Sequence, residues 1–214
     1  MFAERMTTLR AAFASPRSLS LTLLTIAALA GLIVWVAPDE RTLGAGIKWV
    51  YVHVALTWTG MTGIVVAGAL GALTALGCER WFGWGRTIGG VGLAFLIAGA
   101  VVSGAAALVN WGGLALDEPR LNATLQIIAS GLGVALLAQS GLDVRWKGLL
   151  FAMLPVFMFA SLTLTPLVLH PRSPIWTSTS LGIQAAFVSL YVLSLAAAAS
   201  LALSVRARSA GGAR

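Results

Sequence analysis

IGGVGLAFLIAGAVVSGAAALV (Ile88–Val109) runs without one charged side chain. At 1.5 Å of rise per residue, a helix of roughly 20 apolar residues crosses the hydrocarbon core of a bilayer. Five further stretches have the same character: approximately Leu19–Ala37, Trp49–Leu76, Ala123–Ser140, Leu149–Leu169 and Ser178–Val205. The chain therefore reads as an all-α polytopic membrane protein, six transmembrane helices in one bundle over 19–205. A basic N-terminal segment, 1–18, precedes the bundle, and a basic tail, 206–214, follows it. The second and last stretches are long enough to tilt or to project from the hydrocarbon.

Composition agrees. Only 10% of the 214 residues are charged, against about 25% in soluble domains. Too few charges remain to cover a water-soluble globule, and a disordered chain or a coiled coil is excluded as well. Pro38 closes the first span, and Gly44 and Gly46 precede the second. A turn from Cys78 to Arg86 separates the second and third, and Pro171 and Pro174 mark the last short loop. Pro155 and Pro166 fall inside the fifth span, which predicts a kinked helix there.

Six spans place the N-terminus, the loops 77–87 and 141–148 and the C-terminus on one side. That side carries Arg5, Arg10, Arg17, Arg80, Arg86, Arg145, Lys147, Arg206, Arg208 and Arg214; the other carries Arg41, Lys48, Arg120 and Arg172. The bias of ten against four predicts a multi-pass protein with both termini cytoplasmic; the plasma (inner) membrane is the expected location. The outer loops are then 38–48, 110–122 and 170–177. Glu4, Glu79 and Asp143 lie inside, and Asp39, Glu40, Asp117 and Glu118 outside, so the whole net charge of +7 is on the inner side. Anionic lipid is its natural neighbour, and nucleic acid gains no support. A basic segment before an apolar one also fits a cleaved signal peptide. The apolar run exceeds the usual h-region of roughly 7–15 residues, so the first helix is expected to stay uncleaved.

Helices in lipid approach through small residues. Gly63, Ala67 and Gly71 recur at i+4 in the second span, and Gly99, Ser103 and Ala107 in the third; both sets read as helix–helix seams. Gly89-Gly90-x-Gly92 has no strand before it, which argues against a nucleotide loop. No Asp or Glu lies deep in a span, which argues against an ion-coupled transporter. Gln126, Gln139 and Gln184 are candidates for hydrogen bonds between helices. Cys78 is the single cysteine, so neither a disulfide within the chain nor a CxxC pair exists.

The chain has two histidines. His53 falls about one turn into the second span from its outer end, and His170 at the outer end of the fifth. Both are expected in one layer, beside the outer loop Asn110–Leu121 with Trp111 and Arg120. Imidazole is an axial ligand for haem iron, and the two propionates of haem call for Arg or Lys. Lys48, Arg120 and Arg172 are near, and Trp49, Tyr51, Trp58, Trp111 and Trp176 offer aromatic cover. Three other readings stay open. Tryptophan, tyrosine and helix-end histidine are ordinary at a membrane interface. A zinc site would need further ligands. A catalytic histidine would need a nucleophile motif, and none is present.

At these residues the sequence resembles the haem-handling membrane proteins of cytochrome c maturation, the CcmC/CcsA type, also called haem exporter protein C. The resemblance covers most of the chain. Lys48-Trp-Val-Tyr51-Val-His53-Val is similar to the family's basic-x-x-Tyr-x-His-Val-Pro, with Ala55 in place of the proline. Trp111, Gly112, Arg120 and Leu121 align without a gap on the tryptophan-rich motif W-G-T-W-W-x-W-D-x-R-L. Glu118 replaces its aspartate, and Leu114, Ala115 and Asp117 replace its later tryptophans. His170, in Leu-His-Pro-Arg-Ser-Pro, stands for the histidine of the last outer loop, without the tryptophans that precede it in the family.

The resemblance implies that haem b is carried as cargo between His53 and His170 as axial ligands. Trp111 would meet the ring, and Arg120, Lys48 and Arg172 the propionates, with Glu118 beside them or holding Arg120. It implies a binding and delivery protein, not an enzyme. Its haem would pass at the outer, periplasmic face to a haem chaperone, and its other partners would be an ABC-type ATPase, that ATPase's membrane subunit and a small single-span membrane subunit. One alternative is a structural membrane subunit of the same complex that has lost haem. The other is a small-solute transporter, which would need a polar path through the midplane.

Overall fold

A computed structural model describes residues 15–114, 116–166 and 175–211 of the chain. Six long helices follow one another: α1 (Pro16–Val36), α2 (Ile47–Ala75), α3 (Phe82–Trp111), α4 (Pro119–Leu137), α5 (Val144–Leu164) and α6 (Leu181–Gly211). A short 3-10 turn, Glu79–Trp81, leads into α3. All six helices are long and apolar enough to cross a bilayer. The protein is an all-α, multi-pass membrane bundle.

Local chemistry sets the helix ends. α2 stops at a Schellman motif: the Cys78 amide donates to the Leu73 carbonyl (2.9 Å) and the Gly77 amide to Thr74 (3.0 Å). Gly77 makes this turn at φ +100°, a conformation costly for any side chain. Gly112 ends α3 in the same left-handed region, at φ +74°. The Glu118 carboxylate accepts the Leu121 amide at 2.7 Å and so caps α4, with Pro119 next in line. Asp143 caps α5 through the Arg145 amide.

Several boundaries differ from the sequence expectation. The fifth span covers Val144–Leu164 instead of Leu149–Leu169. Pro166 disfavours helical backbone at Thr165, which is extended at φ −82°, ψ 127°. Pro155 is therefore the one proline inside α5. The expected loop 77–87 is mostly the start of α3, and the expected loop 110–122 shrinks to 112–118, because Glu118 and Pro119 open α4 early. α6 continues through Arg206 and Arg208.

α2 is the hub, packed against α3, α5 and α6; α4 joins α5 and α3, and α1 lies outermost against α6. Missing side chains let α2 and α3 touch. A Cβ on Gly60 would meet the Leu96 backbone at 2.6 Å, and one on Gly63 would meet Gly92 Cα at 2.7 Å. The Gly63/Ala67/Gly71 seam exists but divides. Gly63 and Ala67 face α3, while Gly71 meets Gly148 and Phe151 of α5. Gly99 packs on Thr57, and Ser103 and Ala107 are half-buried. Three apolar clusters fill the bundle. Tyr51 and Phe187 centre one near the His53 end, Ile64, Leu96 and Met158 one in the middle, and Ala67, Ala138 and Phe151 one at the far end.

Among the described residues the glutamines make no bond between helices. Gln184 donates to Ser178 and Gln139 to Ala135, both local, and Gln126 is exposed. Other side chains make cross-helix bonds. Thr62 Oγ1 and Tyr191 OH lie 2.7 Å apart between α2 and α6, and His53 bonds α3.

Candidate functional site at the His53 end

His53 sits six residues past the start of α2, or ~9 Å into the helix, nearly two turns where one was expected. Its Nδ1 lies 2.9 Å from the Gly99 carbonyl of α3, with Thr57 Oγ1 at 3.3 Å. A carbonyl can only accept, so in the neutral ring the proton is on Nδ1 and the lone pair on Nε2. The approach depends on glycine, since a Cβ at 99 would lie 2.5 Å from Thr57 Oγ1. Metal-binding histidines are commonly oriented in this way, through a carbonyl on the other ring nitrogen. His170, Arg172 and Ala115 lie outside the described residues, as do Pro171 and Pro174.

Asn110 bonds the Gly46 carbonyl (3.2 Å) and its own Ala106 carbonyl (2.8 Å). This ties the end of α3 to the start of α2. Trp111 is the last residue of α3 and 51% exposed. Twelve residues, ~18 Å of helix, separate it from Gly99. Along α3, Trp111 thus stands well outward of the position that meets His53; the common layer expected of His53 and His170 involves a residue outside the described ones.

Arg120 lies in the first turn of α4, not in a loop. Its Nε is buried and, among the described residues, has no hydrogen-bond partner. Among the described residues no ion pair includes it. Glu118 is 6% exposed and caps α4; among the described residues no salt bridge joins it to Arg120. Lys48 is drawn elsewhere: its Nζ donates to the Trp35 carbonyl at 3.1 Å and stands 3.9 Å from Asp39. A cation there suits the negative C-terminal end of α1.

The aromatic cover divides likewise. Tyr51 is fully buried, donates to the Pro38 carbonyl at 2.8 Å and packs edge-on against Phe187. Trp58 packs edge-on against Tyr191. Trp49 and Trp176 are 45% and 63% exposed, on the outside of the bundle. In the connection from α1 to α2 the Leu43 and Thr42 amides bond Glu40 (2.9 and 2.7 Å) and hold its carboxyl below the ordinary range. Among the described residues no three of His, Cys, Asp and Glu gather as a metal site would require.

Sequence reasoning passed over Thr57 and the Gly99 carbonyl as partners of His53. Thr57 carried a signal, being four residues from His53 and so on the same helix face. The Gly99 carbonyl carried none, because a backbone atom has no letter. No protein-family model matches the chain, and no curated protein matches it.

Proposed function

We propose that this protein is a haem-binding membrane subunit of cytochrome c maturation. In this reading it presents haem b at the outer, periplasmic face of the plasma (inner) membrane for transfer to a haem chaperone. The observation that carries the reading is the His53 ring. Its Nδ1 lies 2.9 Å from the Gly99 carbonyl, a contact that orients the ring as metal-binding histidines commonly are. Arg120 adds support, since a buried guanidinium nitrogen with no partner among the described residues is costly until an anion such as a propionate meets it.

In this reading His53 Nε2 and His170 are the axial ligands and Trp111 covers the ring edge. Arg120 and Arg172 take the propionates, while Lys48 and Glu118 hold the helix ends that frame them. Haem is cargo, so no bond chemistry is asked of the chain and it is not an enzyme. The Lys/Arg bias puts both termini in the cytoplasm. The ABC-type ATPase, its membrane subunit and the small single-span subunit are the proposed partners. The test is the absorption spectrum of the purified protein. A histidine-ligated haem band is expected in the wild type and absent in the His53→Ala, His170→Ala double variant. A colourless wild type that still supports cytochrome c assembly contradicts the reading.

A structural subunit without haem is the second reading. It is favoured by Lys48, Glu118 and Tyr51, three of the candidate residues, each of which makes a helix-end contact that needs no ligand. In that case substituting both histidines leaves cytochrome c assembly unchanged.

A further inference from the structure

The end of the bundle opposite His53 is crowded with cations. Arg17 of α1, Arg80 of the 3-10 turn, Arg86 of α3, Lys147 of α5 and Arg206 and Arg208 of α6 all lie there. Among the described residues, only Arg145 at this end reaches a carboxylate, Glu79 at 3.9 Å. Two of these cations, with no ion pair among the described residues, are half-buried and fixed on aromatic rings. Lys147 Nζ stands 5.9 Å from the Phe82 ring centre, and Arg206 Cζ 5.2 Å from that of Trp84. Arg206 also lies flat on the Gly83 backbone, where a Cβ would come within 2.7 Å of Nη1. Glycine at 83 and tryptophan at 84 thus make a seat for one guanidinium.

The depth of this seat identifies its counter-ion. Arg206 follows Leu181, the start of α6, by 25 residues, ~37 Å along the helix. The hydrocarbon is roughly 30 Å thick, so the guanidinium reaches the headgroup layer. Trp81, Trp84 and the 63% exposed Trp146 stand near the same end, as an interfacial aromatic belt does. Below Arg206, Leu203 and Val205 are exposed apolar side chains, suited to acyl chains. The anion at that depth in a bilayer is the lipid phosphodiester.

We propose that Arg206, seated on Gly83 and Trp84 between α3 and α6, is a binding site for the phosphate of an anionic phospholipid. Guanidinium and phosphate pair through two parallel hydrogen bonds, and Trp84 holds the fork in place beforehand. The surplus of positive charge around the site favours a headgroup that carries no ammonium of its own. The site is independent of the haem reading and lies at the other end of the bundle.

The full chain, purified in detergent, tests this by thermal unfolding with added phosphatidylglycerol, phosphatidylcholine or inorganic phosphate. Phosphatidylglycerol is expected to raise Tm, and the other two to leave it unchanged. Arg206→Gln is expected to lose at least half of that rise, while Arg17→Gln on α1 keeps it. Native mass spectrometry reads the same site without unfolding: the wild type retains phosphatidylglycerol preferentially and Arg206→Gln does not. The proposal is overturned if Arg206→Gln keeps the full rise and the bound lipid, or if phosphatidylcholine or phosphate acts equally. A poly-glutamate peptide that gives the rise in place of lipid overturns it in favour of a protein partner.

Discussion

Glu118 shows how one side chain can be read for two purposes. Its place in the loop motif suggested a ligand neighbour, whereas its carboxylate accepts the Leu121 amide and caps α4. Glu118→Ala is expected to cost about 1 kcal/mol of stability, the usual value of a lost N-cap. Thermal unfolding measures the loss, and the haem spectrum of the variant should be unchanged. A lost spectrum at unchanged stability would return Glu118 to the ligand site. Lys48 follows the same logic, because the C-terminal end of α1 already uses its charge. Residue type was legible at both positions. What was not legible is which nearby helix end would take the group, since that depends on where the helices stop.

At the scale of elements, the α2–α3 seam decides whether the site exists. Gly60, Gly63, Gly92 and Gly99 let the two backbones meet, and the meeting brings Gly99 under His53. Gly63→Leu inserts a side chain where a Cβ alone would lie 2.7 Å from Gly92 Cα. Overpacking of this kind typically costs roughly 1–3 kcal/mol. The variant should melt lower, and the His53 imidazole should lose its fixed Nδ1–H tautomer in 15N NMR. An unchanged tautomer would mean that the seam does not position the ring. Small residues at i+4 spacing made the seam legible. The partner of each was less so: Gly71 looks the same as Gly63 in sequence, yet it meets α5. The end of α5 was missed for a different reason. Hydropathy continues past Pro166, but the helix ends at Leu164, before that proline.

At the scale of the whole molecule, the number of spans and the all-α class were legible because hydrocarbon thickness and charge scarcity leave few other solutions. The sidedness rests on Lys and Arg, and the sole cysteine tests it. Cys78 is exposed at the end that carries the surplus of positive charge. A membrane-impermeant thiol reagent is expected to label Cys78 only after cells are opened. With Cys78→Ala and Asp39→Cys combined, it should label intact cells whose outer barrier it has passed. The reverse pattern would invert the topology and move His53 to the cytoplasmic side.

The measurement that bears most directly on the function is rescue of His53→Gly by free imidazole. The account predicts that the purified variant loses the histidine-ligated haem band and that added imidazole restores it on the protein, because the missing ligand is a ring nitrogen. A wild type without haem, or a variant whose band is either never lost or never restored, would contradict it.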